Sequence, residues 1–510
     1  MEAKLRTDTI TYLKHVLDTS ISQEETMESI VPDAYPDIQA IVDVGGNVTL
    51  RAKEAGAGRV SLNGMIAASV LYLPEGEDGL RSINLSIPFT TGCDAAAVTD
   101  ETEVTVTVKL AGIDARVINS RKVLVRADVL AEVRGYVWDS MVGTTDIDGH
   151  EDAGIRLRQE GAELSFITQI REKTFVVAEE FALPPGRASM GGILKSRVRL
   201  EEEDVKNVGN KLIFKGIADI RVLYAAHQTA EPHVAEFTAG FSQIIELDGE
   251  GDGAQYEIAL ALTNVYVEAD TSEGGGVSAE LHIIAQVVEK RMQVIPYIAD
   301  AYSTRFELET KHIEHHLESC DAHLDLSTEL RETIDVPVGV VRIVDHCVKT
   351  GRVQINQEGG RIIFRTPVNV SVIYMTEEGR LSGAHRRFEA VAEMDVMPHV
   401  SYGAMVRAVE DAQIMPTGDG MELRVSIVFA VRPCRKVRFA TVGEIAWDEE
   451  SPRDLAALPS IVVYTADGGE SLWHLAKRYC STEELILSAN AIAEENAPYP
   501  GQLFIIPKAR

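Results

Sequence analysis

Apolar and polar residues alternate with period two over most of the chain. The run Val104-Thr-Val-Thr-Val-Lys-Leu110 does so strictly, which predicts a strand with one buried and one solvated face. The β-branched residues in it suit a half-buried pleat. Three segments repeat one design: Gly64-Met-Ile-Ala-Ala-Ser-Val-Leu-Tyr72, Gly216-Ile-Ala-Asp-Ile-Arg-Val-Leu-Tyr224 and Thr366-Pro-Val-Asn-Val-Ser-Val-Ile-Tyr374. Their tyrosines recur at intervals of 152 and 150 residues, and a phenylalanine follows each, Phe89 and Phe241 at 17 residues and Phe388 at 14. A strand precedes each motif by a turn (Val60-Ser-Leu62, Leu212-Ile-Phe214, Ile362-Ile-Phe364), and a long β-run starting near Lys122, Val277 or Met421 closes each unit. Glycine-rich turns at Glu75-Gly76, Glu273-Gly-Gly-Gly276, Gln357-Glu-Gly-Gly360 and Thr417-Gly-Asp-Gly420 separate the runs. A period this long means duplicated domains, since solenoid repeats run about 20–50 residues. The chain therefore reads as mainly β, with three tandem antiparallel β-sandwich or barrel-like domains over residues 31–138, 187–300 and 334–442.

Other segments predict helix. Leu5, Leu13, Val16 and Leu17 fall near one helical face, so residues 1–30 read as an N-terminal helical segment. Residues 139–186 and 301–333 read as acidic, more helical connectors, and 443–460 as a linker. From Ile461 the pattern changes again. A strand, Ile461–Tyr464, leads to the turn Asp467-Gly-Gly-Glu470 and then to a helix with Leu472, Leu475, Ala476 and Tyr479 on one stripe, capped by Ser471. Ser481-Thr-Glu-Glu484 reads as a capping box opening a second helix with Leu485 and Ala489 inward. Pro500-Gly501-Gln502 turns into a last strand stopped by Pro507. This is a small α+β module, βααβ, over residues 461–510.

At 510 residues the chain has room for three or four domains, at roughly 150 residues each. Its net charge of −30 argues against nucleic acid, which needs Lys and Arg to displace counterions, and against an anionic membrane surface. The N-terminus has no uninterrupted apolar h-region and no small-residue cleavage site, and no window reaches 18 apolar residues; the expectation is an unexported chain without a membrane span. Five cysteines without a CxxC read as reduced thiols.

Candidate chemistry is sparse. On a helix, His312, His316, Cys320 and His323 would share a face suited to zinc, but His315 and His316 adjoin on a polar surface, and a solvated histidine-rich linker is the expected state. Asp146-Ile-Asp-Gly149 opens like a calcium loop but lacks its later ligands. The basic run Arg432-Pro-Cys-Arg-Lys-Val-Arg438 reads as protection of a strand edge. GxSxG, HExxH, Walker A and kinase motifs are missing. No catalytic residue, metal or cofactor is expected.

The C-terminal residues Gly469-Glu470-Ser471-Leu472-Trp473, Leu475-Ala476, Asn490, Pro500-Gly501-Gln502 and Ile506-Pro507 resemble the LysM signature. The usual Pro-Gly-Asp turn is Gly468-Gly469-Glu470 here, and the loop Ala491–Asn496 is acidic. The three repeats with this tail resemble SipL-type spore-coat assembly proteins, in which SPOCS domains precede one LysM domain. Pro36-Asp37-Ile38 resembles the motif that opens a SPOCS unit, without clean copies in the later repeats. The resemblance implies a non-enzymatic scaffold in the mother-cell cytoplasm, at the forespore surface. Its LysM domain would bind the coat basement-layer ATPase, with other coat proteins as further partners. The alternative partner is peptidoglycan, through the groove between the module's loops; a wall hydrolase is a third reading. Either binding reading places the contact at Gly469, Glu470, Trp473, Asn496 and Tyr499, with Trp473 as an exposed anchor.

Overall fold

The structure, a computed structural model, describes residues 4–151, 153–227, 229, 231–249, 251, 253–270, 275–418, 420–467, 470–491 and 500–509. It is mainly β, and the three repeats share one strand plan. In the first unit, β1 (Leu5–Ile30), β2 (Ile38–Gly56), β3 (Arg59–Pro74), β4 (Arg81–Asp94), β5 (Glu103–Asn119) and β6 (Lys122–Ile147) follow in order. Strands β2-β3-β4 form one sheet, and β1-β6-β5 lie together in a second. The second unit repeats this with β7 (Ile155–Ala182), β8 (Met190–Val208), β9 (Lys211–Ala226), β10 (Pro232–Glu246), β11 (Gln255–Asp270) and β12 (Gly276–Ser303). The third splits its first two strands, giving β13 (Leu308–Cys320), β14 (Leu324–Asp335), β15 (Val340–Thr350), β16 (Gln354–Glu358), β17 (Arg361–Thr376), β18 (Leu381–Asp395), β19 (Val400–Thr417) and β20 (Gly420–Trp447). In each unit the alternating side chains of the two sheets face one another across an apolar core, as around Phe214, Phe241 and Leu281 in the second.

The expected helices before and between the domains are strands. β1 pairs with β6 along nearly its whole length. Leu13, Leu17 and Ile21 are four apart, a spacing that fits a helix turn and also a strand whose intervening inward positions are polar. The register slips between His15 and Leu17, and that bulge blurs period two further. The expected connectors are β7, β13, β14 and the far ends of β6 and β12. Ile155 and Leu164 are buried there with Ile147, Ile298 and Tyr297. A single pairing, Leu13 with Ile167, joins β1 to β7 and merges two inner sheets into one of six strands.

The repeated tyrosines mark the junction of the units. Tyr72, Tyr224 and Tyr374 are fully buried on β3, β9 and β17. The Tyr72 and Tyr224 hydroxyls donate to the carbonyls of Pro36 and Ala188, both at 3.2 Å. Opposite each ring stands an isoleucine (Ile41, Ile193, Ile343), followed by a bulge and then a charged residue, Asp43, Lys195 or Asp345. The bulged residues Val42, Leu194 and Val344 pack with Leu71, Leu223 and Ile373 in one apolar cluster drawn from all three units. Beside it Lys195 Nζ lies 2.5 Å from Asp43 Oδ2 and 2.7 Å from Asp345 Oδ2, all three buried. Arg221 Nε reaches Asp345 Oδ1 at 2.9 Å. Burial acts to lower the Lys195 pKa, but Asp345 and Asp43 outweigh it and hold it above the usual lysine value. Amide side chains also bridge units: Asn47 Oδ1 accepts from the Val198 N–H at 2.8 Å, and Gln286 clasps both backbone groups of Val106 at 2.8 and 2.7 Å. Gly383 is needed here, because a Cβ on it would sit 1.7 Å from the Val42 carbonyl oxygen.

Register also corrects the phenylalanine equivalence. Phe89 faces Gly64 and Phe241 faces Gly216, whereas Phe388 faces Val368. A Cβ on Gly64 would lie 2.2 Å from the Phe89 ring. The third unit has Thr366 opposite Ala390, so a larger residue on one strand is matched by a smaller one on the other.

Candidate functional site: the terminal module and its two faces

The last module comprises β21 (Ile461–Thr465), α1 (Leu472–Arg478), α2 (Glu483–Asn490) and β22 (Leu503–Pro507). Ser471 caps α1 by accepting from the His474 N–H at 3.3 Å. The cap of α2 is Thr482, which accepts from the Leu485 N–H at 3.2 Å; Ser481 instead donates to the Pro507 carbonyl. The inward residue of α2 is Ile486, not Leu485, which is exposed, and Ala489 faces out as well. Moving the cap by one residue turns the helix by about 100°, which explains the exchange. Asn490 is structural: its amide donates to the Ile505 carbonyl at 2.6 Å and accepts from the Ile505 N–H at 2.7 Å, pinning α2 to β22.

Of the expected contact residues, Gly469, Asn496 and Tyr499 lie outside the described residues. Glu470 holds the Tyr464 hydroxyl at 2.8 and 2.7 Å, a hydrogen bond that pushes the tyrosine up to about 12. Trp473 is not an exposed anchor. It is 5% exposed, and its indole N–H donates to Asp300 Oδ2 at 2.8 Å. Its ring meets Tyr302 edge-on at 4.8 Å between centroids. Lys477 joins the same carboxylate at 2.6 and 2.7 Å, and the Tyr302 hydroxyl donates to the Ser481 carbonyl at 2.9 Å. Burial acts to raise the Asp300 pKa, but the bonds from Lys477 and Trp473 leave it below the usual carboxylate value. The signature tryptophan thus seats the module on the end of β12. The expected linker is strapped to the body too, with the Arg453 N–H donating to the Arg305 carbonyl at 2.8 Å.

The opposite side of the module is bare. One face of the β21–β22 sheet packs on the helices, burying Phe504 and Ile506. The other exposes Ile461, Val463, Leu503 and Ile505, with Val463 directly across from Ile505. Period two in Ile461–Val463 and Leu503–Ile506 was the available signal, since it puts apolar residues on both faces of a sheet that helices cover on one side only.

The remaining sequence candidates do not form sites among the described residues. His312, His316 and Cys320 lie on strand β13 and His323 beyond its end, so the four do not share a helix face. Cys320 is bonded to Cys434 across β13 and β20, which corrects the reading of five free thiols; the described pair stand directly opposite. Asp146 and Asp148 pair with Arg6 at 3.3 and 2.5 Å. The basic run lies on β20: Arg432–Arg435 pair with β19 and Cys434–Arg438 with β13, so among the described residues Lys436–Arg438 have a strand neighbour on one side only and stand at an edge. No helix among the described residues is long and apolar enough to cross a membrane.

Tandem sandwiches with a βααβ module define a multidomain binding protein. Residues 37–118 and 189–270 match the SipL, SPOCS domain, and residues 464–507 match the LysM domain. The chain has the SipL-type architecture, with repeated SPOCS domains followed by one C-terminal LysM domain, and it fits a spore-coat-associated, LysM-containing protein. Both are non-catalytic binding domains. The third unit shares the strand plan but lies outside the matched residues. No curated protein matches the chain.

Proposed function

We propose that the chain is a non-enzymatic scaffold in spore-coat assembly, working in the mother cell at the forespore surface. Its LysM module holds the ATPase of the coat basement layer, and its β units bring in other coat proteins. The pairing of SPOCS domains with a LysM domain carries this reading. The bare β21–β22 face supports it, because an apolar sheet face suits a protein partner better than a sugar. Weak contacts to a polymeric layer add through high effective concentration. The test is co-purification of the full chain with the basement-layer ATPase. The double variant Val463→Glu/Ile505→Glu, altered only at exposed positions, should lose the ATPase while the module stays folded. Retention of the ATPase would reject this face as the contact.

The LysM match also supports a second reading, peptidoglycan binding through the module's loops. Sedimentation of the full chain with purified peptidoglycan distinguishes the two. Strong retention that survives the Val463→Glu/Ile505→Glu exchange favours the glycan.

A further inference from the structure

Inner-sheet strands from all three units converge on a cavity of about 570 Å³, well within the range that holds a small molecule. Tyr12, Tyr136, Leu164, Phe166 and Leu317 supply apolar wall. The charged lining is one-sided: Lys14, Lys290, Arg432, Lys436 and Arg438 against the single carboxylate of Glu318. That excess of cations stands out in a chain of net charge −30. Part of it is answered by groups behind the wall. Lys14 pairs with Asp139, Lys290 with Glu257, and Arg432 with Asp18. Lys436 stands opposite Glu318, whose pKa is lowered chiefly by His15 against the opposing effect of burial, with Lys436 adding a smaller pull; Arg438 stands opposite His316. Neither cation comes within ion-pair distance of a carboxylate among the described residues.

Two buried polar atoms remain unsatisfied. The Arg432 side chain is 6% exposed, and its Nε has no hydrogen-bond partner among the described residues; nor has His15 Nε2. An unanswered buried donor is costly. Burial takes the Arg432 guanidinium down to about 10, and beyond Asp18 no carboxylate pairs with it among the described residues. His15 is likewise lowered by burial, against the pull of Glu318. An anion beside Arg432 would satisfy both shortfalls, and a guanidinium fork suits a carboxylate or phosphate.

We propose that this cavity binds a small anionic amphiphile, its carboxylate or phosphate head at Arg432 in the positive field of Lys436 and Arg438 farther along β20, and its short apolar body against Leu164, Phe166 and Leu317. The site is distinct from the terminal module and independent of what that module holds.

The test is calorimetric titration of the full chain with octanoate, octyl phosphate, octan-1-ol and inorganic phosphate. One equivalent of octanoate or of octyl phosphate should bind, and the tighter of the two identifies the head group. Octan-1-ol and inorganic phosphate should each bind at least tenfold more weakly. The exposed pair Lys436→Gln/Arg438→Gln should weaken the anion by roughly fivefold without changing the melting temperature. Ser165→Phe, which fills the space, should abolish binding; if that variant fails to fold, the glutamine pair decides. Equal affinity for octan-1-ol, equal affinity for inorganic phosphate, or unchanged binding by the glutamine pair would each overturn the proposal.

Discussion

Two junctions hold this molecule together, and they are built differently. Where the three β units meet, Asp43, Lys195 and Asp345 are buried beside an apolar cluster to which every unit contributes. Where the LysM module meets the body, one indole, one phenol, a Lys477–Asp300 pair and an exposed Arg156–Glu484 pair make the contact, and Lys477 is 40% exposed. Removing a partner from the first strands a charge in a dry interior. Removing one from the second mostly admits water. The repeats are therefore locked together by buried charge, while the module rests on them through a smaller contact.

The largest effect expected is from Lys195→Ala. It leaves two buried carboxylates facing each other, at a cost of about 3–5 kcal/mol, read as a lower midpoint in urea unfolding of the whole body. Trp473→Ala should cost about 2 kcal/mol of docking energy yet leave that midpoint unchanged. Limited proteolysis within residues 448–460 would report the detached module, and an altered body midpoint would count against the comparison.

Acid should separate the junctions in the same order. Burial acts to raise the Asp345 pKa, but Lys195 and Arg221 pull it far below its ordinary 3.8. Asp300 is lowered less. A lowered carboxylate stabilises fully above its unfolded value, and that contribution is lost as pH falls through the folded one. Both contributions are intact above about pH 4. On acidification the module should come free first, measured by the same proteolysis, and the units should part only at lower pH. The raised Lys195 contributes fully below 10.5 and loses its contribution above that. The smallest effect is local. Gly64→Thr should destabilise by about 1–3 kcal/mol through clashes with the Phe89 ring and the Thr49 carbonyl oxygen, and adding Phe89→Ala, which reproduces the Thr366–Ala390 pairing and removes only the first clash, should recover part of the loss on thermal melting.

Alternation in strands such as Val104–Leu110, and the tyrosine repeat, made the sandwiches legible in sequence because each has one wet face. β1 and β7 were not legible. Few of their residues are fully buried, so little strong apolar alternation shows, and in β1 a bulge at His15 breaks the phase. The junction had a signal that went unread: Ile-Val-Asp at 41–43, Ile-Leu-Lys at 193–195 and Ile-Val-Asp at 343–345, one charge of opposite sign among three equivalent positions. Nothing local marks Trp473 as buried. Its exposure on an isolated module is ended by Asp300 and Tyr302, 173 and 171 residues earlier in the chain, and only the assembled structure brings them together.

The pairing of β1 with β6 has a practical consequence for anyone dividing this protein into pieces. A fragment starting at residue 31 would strip β6 of one neighbour along its full length and leave a long, bare ribbon of hydrogen-bonding groups open to another chain. Such a fragment should clump. Cuts in the short stretches 148–154 and 304–307, where one unit hands over to the next, keep the long β1–β6 and β7–β12 ladders whole and divide only the Leu13–Ile167 pairing and the buried Asp43–Lys195–Asp345 cluster.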